Sequence, residues 1–273
     1  MNYKISAIQM NSGESIHENL EKASHFIKQA AEQNCQLVVL PEMFALMSQT
    51  TEKKLAAAEN FGEGKIQSFL KAHASEYKIW IVGGTIPIKF NDSEKVSACC
   101  LLYNPAGEVA NYYNKIHLFD VVINSQEFYQ ESASIVPGKK IALTQTPFGQ
   151  LGLAVCYDIR FPELFRTLFN QGAELFAVPA AFTSTTGKAH WEVLMRARAI
   201  ENFSYVIGAC QVGEHPGKRF TFGHSIIINP WGEIIAQLDE DIGIISAEIN
   251  LDYLYEIRKK IPVKSHQKIF TTQ

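Results

Sequence analysis

Short apolar runs alternate with amphipathic segments along the chain, and the spacing of the apolar residues predicts both strands and helices. Residues 5–10 alternate with period two, which is typical of a strand. Residues 15–33 place apolar side chains three and four positions apart, as one buried face of a helix does, at Leu20, Ala23, Ile27 and Ala30. Residues 36–40 are almost continuously apolar, which predicts a short strand buried on both faces.

The same alternation continues toward the C-terminus, with turn residues that indicate two hairpins. Helices are predicted at residues 62–77, 162–171 and 191–202, and a further strand at 79–84. Hairpins are predicted at residues 97–113, around a turn at 104–107, and at 225–237, around a turn at 230–232. Strands that alternate with helices and are interrupted by hairpins predict an α/β sandwich with mixed parallel and antiparallel sheets.

Length and composition favour one folded domain over residues 1–273. The chain has 273 residues, 47% of them hydrophobic, and no low-complexity tract or Pro/Gly/Ser-rich linker divides it. Its formal net charge of -3, without a basic stripe, argues against nucleic acid as a partner. No apolar stretch has the length of a membrane span, so we expect no membrane association.

The cysteines indicate a reducing compartment. There are five, an odd number, and none forms a C-x-x-C pair: Cys35, Cys99, Cys100, Cys156 and Cys210. This pattern favours neither a disulfide framework nor a zinc site. It predicts a cytoplasmic protein with free thiols, at least one of which is available for chemistry.

Cys156 lies where an apolar strand-like run stops and a helix signature starts, within residues 151–163. A nucleophile on a strand-to-helix turn is held rigidly, and the backbone N–H groups after it can face an oxyanion. Free cysteine is also among the most buried residue types, so burial in the core is the simpler interpretation of this residue alone.

Two further residues interrupt apolar segments and strengthen the catalytic interpretation. Glu42 follows the strand predicted at 36–40, where a carboxylate is costly unless it is paired or functional. Lys115 interrupts an aromatic and aliphatic stretch. Taken singly, a salt-bridged loop glutamate and a surface lysine are the commoner outcomes. Because active sites assemble at the carboxyl ends of strands in open α/β sheets, the three positions together predict a site.

Three segments carry a family resemblance: Leu40-Pro41-Glu42, residues 114–118 (Asn-Lys-Ile-His-Leu) and residues 156–163 (Cys-Tyr-Asp-Ile-Arg-Phe-Pro-Glu). In this order and spacing they resemble the motif blocks of the nitrilase, or carbon–nitrogen hydrolase, superfamily. The resemblance extends over almost the whole chain. It implies an α-β-β-α sandwich that stacks to eight layers in a homodimer or a higher homo-oligomer.

The resemblance also implies a catalytic set. Glu42, Lys115 and Cys156 match the family triad, and Glu131 matches a second glutamate that commonly assists. Glu42 would act as the base, while Lys115 and the backbone N–H of Tyr157 would hold the oxyanion. The implied reaction is amide hydrolysis through a Cys thioester on a small-molecule substrate, and it requires no metal or organic cofactor. Asp158 and Arg160 are expected to brace the turn as an ion pair.

For the substrate, residues 185–202 resemble the amidase branch that contains the ω-amidases and the deaminated glutathione amidases, and residues 198–201 and 218–225 are closer to the latter. A carboxylate-bearing substrate needs a cation, and arginine can grip it through two hydrogen bonds. Candidate substrate-binding residues are Phe182, Thr183, His190, Arg196 and Arg219, with Lys218 as a further cation. For Arg196 and Arg198 of the predicted helix, the alternative role is an ion pair at the surface or at an interface, and for Arg198 this is the favoured interpretation.

Two other classes of protein remain open at this point. A redox-sensing thiol protein would use Cys156 without needing Glu42 or Lys115, and no resolving cysteine lies near it in sequence. A catalytically silent member of the fold family, acting as an interaction scaffold, would need none of the three. The presence of all three residues favours the enzyme.

Overall fold

The computed structural model describes residues 2–90, 93–125 and 127–269. The helices in this part of the chain are α1 (Ile16–Glu32), α2 (Thr51–Ala56), α3 (Lys65–Tyr77), α4 (Pro162–Asn170), α5 (Ser184–Asn202), α6 (Leu251–Lys260) and α7 (Val263–His266). The strands are β1 (Asn2–Gln9), β2 (Leu37–Val39), β3 (Glu59–Asn60), β4 (Trp80–Val82), β5 (Ile86–Lys89), β6 (Ser97–Tyr103), β7 (Val109–Asn114), β8 (Asp120–Val122), β9 (Phe128–Gln130), β10 (Ala142–Thr146), β11 (Gly149–Leu153), β12 (Leu175–Ala180), β13 (Tyr205–Cys210), β14 (Val212–His215), β15 (Arg219–Phe222), β16 (Ile226–Ile228), β17 (Ile234–Gln237) and β18 (Gly243–Asn250).

The strands form two large mixed sheets. The first has the order β18-β1-β2-β4-β6-β5-β3, with β7 also paired to β6. The second has the order β10-β11-β12-β13-β16-β17. The central pairs β1–β2, β2–β4, β11–β12 and β12–β13 are parallel, and the outer pairs β1–β18, β10–β11 and β16–β17 are antiparallel. The predicted mixed sheets are confirmed. Two short ribbons, β8–β9 and β14–β15, lie outside the sheets.

The two sheets pack face to face, and helices cover their outer faces. In β2, Leu37 and Val39 belong to the core between the sheets, whereas Val38 belongs to the core under α1 and α3. This alternation is the period of two that a strand imposes on its side chains. On the other side, Phe165 of α4 and Trp191 of α5 pack against the second sheet. The layers are therefore α-β-β-α, as predicted.

Most predicted elements are present, with boundaries that differ by one to three residues. Ser15 caps α1, because its side chain accepts a hydrogen bond from the Glu18 N–H at 3.3 Å. The predicted turn after β11 is a short 3-10 helix, Cys156–Arg160, which leads into α4. The elements without a counterpart in the sequence prediction include α2, α6, α7, β3, β5, β8, β9, β10, β13, β14, β15 and β18.

Helix α5 begins at Ser184, seven residues before its predicted start. The segment 184–190 is polar and contains Gly187, which lowers its intrinsic helix propensity. A Cβ at Gly187 would overlap the Phe222 side chain, so the glycine allows β15 to pack closely on the helix. Tertiary packing, which a local pattern does not contain, therefore extends the helix.

Gly208 provides a test of this packing, because a Cβ there would lie 2.7 Å from Trp191 Cζ2 and 2.7 Å from Met195 Cε. We expect Gly208→Val to lower the free energy of unfolding by about 1–3 kcal/mol, since the buried indole of Trp191 has no room to move. Chemical denaturation measures this change. Gly13→Ala is the matched control, because no heavy atom lies within 4 Å of its Cβ position. An unchanged midpoint for Gly208→Val would contradict the close packing of α5 on β13.

Candidate active site

The predicted catalytic residues converge at one edge of the sandwich. Glu42 follows β2, Lys115 directly follows β7, and Cys156 begins the turn after β11. The first two come from one sheet and the third from the other. All three line one cavity of about 590 Å³ together with Glu131, which follows β9.

One buried ammonium group links the two carboxylates. Lys115 Nζ lies 2.8 Å from Glu42 Oε1 and 2.9 Å from Glu131 Oε2, and the lysine side chain is only 2% exposed. Burial alone favours the neutral amine, but the negative charges of Glu131 and Glu42 outweigh it and raise the pKa of Lys115 well above its usual value. Lys115 is therefore charged, and the surface-lysine interpretation is wrong.

Both carboxylates are fixed by backbone N–H groups as well. Glu42 Oε2 accepts a hydrogen bond from the Ala181 N–H at 2.9 Å, and Ala181 follows β12 of the opposite sheet. Glu131 Oε2 accepts one from the Phe119 N–H at 2.7 Å. Each carboxylate thus has one orientation relative to the ammonium, which is a requirement for a group that transfers protons.

Cys156 occupies a strained turn and carries a protonated thiol. Its φ of +47° lies in the left-handed region that non-glycine residues rarely adopt, and such strain concentrates at active sites. Burial and the neighbouring Glu42 carboxylate raise the pKa of the thiol well above its usual value, and only in part do Lys115 and the Ala181 N–H oppose them. The predicted nucleophile therefore lies beside the carboxylate of the predicted base, Glu42.

Asp158 braces the turn, but not through the predicted ion pair with Arg160. Its carboxylate is fully buried and accepts hydrogen bonds from the Val155 N–H at 2.7 Å, the Tyr113 hydroxyl at 2.9 Å and the His117 N–H at 3.2 Å. His117 Nδ1 also lies 2.7 Å from Asp158 Oδ1. Asp158 therefore ties the Cys156 turn to the segment that carries Lys115.

Arg160 points elsewhere. Its guanidinium lies 5.2 Å from the Phe182 ring centroid and 5.9 Å from that of Tyr157, and Nη2 lies 3.2 Å from His190 Nδ1. The aromatic rings thus hold this cation on the outside of the turn, where Asp158 does not reach it.

The predicted substrate-binding residues divide into two groups. Phe182, Thr183 and Arg219 line the cavity, as does Tyr157, which was predicted to contribute its backbone N–H. His190 does not line the cavity, and neither does Arg196, because α5 turns both side chains away from it. His190 is exposed and contacts Arg160.

The remaining predicted cations are explained by other contacts. Arg196 Nε donates to the Gly232 carbonyl at 2.9 Å. Arg198 is buried and donates to the Ile159 carbonyl and to Glu201. Lys218 lies on an exposed turn with a φ of +57°. The ion-pair interpretation of Arg198 is confirmed within the chain, although the residue is buried and not at the surface.

Sequence reasoning missed Lys54, which lines the same cavity from α2. Its Nζ lies 3.3 Å from Ser134 Oγ, and burial lowers the pKa of the amine despite the nearby Glu131 carboxylate. In sequence, Lys54 lies in the run Glu52-Lys53-Lys54, which has the pattern of a solvated surface. No local signal distinguishes it from exposed Lys53.

Within residues 2–90, 93–125 and 127–269, no three or more His, Cys, Asp or Glu side chains are grouped so that they could hold a metal ion. In the same ranges, no helix combines the length and the apolar character that crossing a bilayer demands.

Comparison with known proteins gives the family. Residues 4–259 match the carbon-nitrogen hydrolase family model. The chain is 42% identical over 268 residues to a protein from Synechocystis named deaminated glutathione amidase, covering 97% of this chain and 98% of the relative. It is 37% identical to omega-amidase NIT2-A of Xenopus laevis, covering 97% of this chain and 95% of the relative.

Solved structures agree with this similarity. Saccharomyces cerevisiae Nit3, described as a member of branch 10 of the nitrilase superfamily, superposes with a TM-score of 0.86 at 31% identity, covering 96% of this chain and 94% of that one. The C. elegans NitFhit protein superposes with a TM-score of 0.89 at 35% identity, and the chain spans 98% of its own length and 65% of that protein. The chain belongs to the carbon–nitrogen hydrolase family.

Proposed function

We propose that this protein is a thiol amidase that hydrolyses deaminated glutathione to 2-oxoglutarate and Cys-Gly through a thioester on Cys156. The observation that carries the proposal is the buried ammonium of Lys115, shared by Glu42 and Glu131 beside the Cys156 thiol. The adjoining cavity of about 590 Å³ is large enough for a small amide. This arrangement favours catalysis over a redox sensor or a scaffold, neither of which uses a buried base beside its thiol.

Acylation begins with transfer of the Cys156 proton to Glu42. The sulfur then attacks the amide carbonyl carbon, a C–S bond forms, and the carbonyl π electrons move to the oxygen. Lys115 Nζ and the Tyr157 N–H donate hydrogen bonds to this oxyanion. Protonated Glu42 gives its proton to the amide nitrogen, the C=O bond re-forms and the C–N bond breaks, which releases the amine.

Deacylation uses the same base. Glu42 takes a proton from a water molecule, whose oxygen attacks the thioester carbonyl carbon. The C–S bond breaks as the carbonyl re-forms, and the sulfur takes the proton back from Glu42. Glu131 acts by holding Lys115 in place and keeping it charged throughout the cycle.

The substrate assignment rests on the relatives and on the lining of the cavity. Relatives from Synechocystis and Yersinia enterocolitica bear the name deaminated glutathione amidase, at 42% and 38% identity. Phe182, Thr183 and Arg219 are the proposed substrate-binding residues, because all three line the cavity. The alternative is ω-amidase activity on 2-oxoglutaramate or 2-oxosuccinamate, which the Xenopus relative favours.

We further propose one carbon–nitrogen hydrolase domain over residues 1–273, a homodimer, and a cytoplasmic location. Three apolar side chains are exposed: Val193 (68%), Trp231 (53%) and Ile200 (45%). Ile200 lies against Gly232, the residue that follows Trp231. An exposed apolar group of this kind is typical of a subunit interface. The five cysteines are free and buried, which is compatible with a reducing compartment.

Removing any one catalytic group should abolish turnover. We expect Cys156→Ala, Glu42→Gln and Lys115→Ala each to reduce kcat for amide hydrolysis by more than about 10³-fold. Lys115→Ala should also lower thermal stability, because it leaves two neighbouring carboxylates without their counter-ion. Turnover assays and thermal melts measure both effects. Retained turnover in Cys156→Ala would reject the mechanism.

The substrate is tested by comparing kcat/KM on deaminated glutathione with kcat/KM on 2-oxoglutaramate. We expect the larger value for deaminated glutathione, because the relative named deaminated glutathione amidase is 42% identical to this chain and the omega-amidase is 37% identical. Mass spectrometry of enzyme quenched during turnover should show the acyl adduct on Cys156. A clear preference for 2-oxoglutaramate would reassign the substrate to the ω-amidase class without changing the chemistry.

The charge balance around the thiol predicts opposite effects of two substitutions on the pKa of Cys156. Glu42→Gln removes a neighbouring negative charge and should lower this pKa, whereas Lys115→Met removes a positive charge and should raise it. The pH dependence of Cys156 alkylation by iodoacetamide, followed by mass spectrometry, reports both. We expect the midpoint to move to lower pH in Glu42→Gln and to higher pH in Lys115→Met. Shifts in the same direction would contradict the described charge pairing.

A further inference from the structure

The cavity wall carries more positive than negative side chains. Three cations and two carboxylates line it: Lys54, Lys115, Arg219, Glu42 and Glu131. Both carboxylates form ion pairs with Lys115. In the part of the chain that the structure describes, Lys54 and Arg219 form no ion pair, and the cavity wall has one more cation than it has carboxylates.

Lys54 holds its charge in a partly desolvated position. Its hydrogen-bond partner is the neutral Ser134 hydroxyl at 3.3 Å, and burial lowers the pKa of its amine. Lys54 also borders a second, smaller pocket of about 40 Å³, together with Met43, Thr85 and Ile135. A half-buried ammonium that forms no ion pair favours an anion from the substrate.

Arg219 is fixed with part of its guanidinium unused. Nη2 donates to the Ala181 carbonyl at 3.2 Å, and the guanidinium lies 5.3 Å from the Tyr129 ring centroid. Nε is buried and has no hydrogen-bond partner. The Ala181 N–H in turn binds Glu42. The Ala181 backbone therefore links Arg219 to Glu42, and Nε of the guanidinium is left without a hydrogen-bond partner.

We propose that Lys54 and Arg219 bind a carboxylate at the far end of the acyl portion of the substrate, the portion that stays on Cys156 after the C–N bond breaks. This inference rests on the proposed amidase function and adds to it the residues that hold the carboxylate of the acyl portion. The amine must leave before water reaches the thioester, so it belongs on the open side of the cavity. The acyl chain then lies on the side where Lys54 borders both the cavity and the smaller pocket.

The two cations have complementary roles in this subsite. The guanidinium of Arg219 offers directed donors that fix the plane of a carboxylate. The Lys54 ammonium is a compact charge without a fixed direction. Such a subsite contacts no part of the leaving amine. The same acyl recognition therefore serves a peptide amine and ammonia, and discrimination between them falls to the outer cavity.

Binding of a dicarboxylate to inactive enzyme tests the subsite independently of catalysis. In Cys156→Ala protein, calorimetry should show binding of 2-oxoglutarate, weakened roughly 10- to 100-fold by adding Lys54→Met or Arg219→Met, the range expected for a charge-assisted hydrogen bond. Lys53→Met and Lys218→Met are the matched controls, because both neighbours are exposed and outside the cavity. Unchanged affinity in both test variants would overturn the proposal.

Steady-state kinetics with active enzyme, which retains Cys156, then show which carboxylate of the substrate the two cations bind. Lys54→Met and Arg219→Met should raise KM more than they lower kcat, and by similar factors for 2-oxoglutaramate and deaminated glutathione. They should also reduce the preference for 2-oxoglutaramate over butanamide, which has no carboxylate. A loss confined to deaminated glutathione would overturn the proposal, because it would place the cations at the dipeptide carboxylate.

The amidase function and the carboxylate subsite can be rejected independently of each other. If wild-type protein hydrolyses no amide but Cys156→Ala binds 2-oxoglutarate in a Lys54-dependent manner, the amidase function fails and the carboxylate subsite stands. Should turnover occur while Lys54→Met and Arg219→Met leave KM unchanged, the function stands and the subsite fails. Lys54→Gln is a second variant in case Lys54→Met does not fold.

Discussion

The site depends on a buried ammonium ion that two carboxylates share. Lys115 is almost fully enclosed, so the attraction between its charge and those of Glu42 and Glu131 is little screened by water. One positive charge cannot neutralise both partners, so this cluster of three side chains keeps a net negative charge beside the thiol. The lysine thus stabilises both carboxylates and fixes the position of Glu42, the base of the proposed mechanism.

The two sheets contribute different parts of this arrangement. Glu42 and Lys115 come from the first sheet, whereas Cys156 and the Ala181 N–H come from the second. Asp158 joins them a second time, because its carboxylate accepts hydrogen bonds from both the Tyr113 hydroxyl and the Val155 N–H. The catalytic geometry is therefore a property of how the sheets are docked and not of any one loop.

The sequence was sufficient to predict the α-β-β-α layers and to single out the three residues that the structure brings together in one cavity. Glu42, Lys115 and Cys156 each follow or interrupt an apolar segment; period-two alternation predicted β1, and a continuous apolar run predicted β2. His190 and Arg196 were misplaced because the rotation of α5 about its axis depends on packing against β15 and β16. Lys54 was missed because its burial results from the fold of the chain around α2, to which the local run of charges gives no clue.

The hydrogen bond from the Ala181 N–H to Glu42 has a consequence for partial unfolding. It crosses between the sheets at 2.9 Å, a distance that a small slip of one sheet over the other would open. Such a slip would leave the hydrogen-bonded ladders within each sheet intact. Enzymatic turnover is therefore a more sensitive gauge of sheet docking than circular dichroism, and inactivation by mild denaturant should precede the loss of secondary structure.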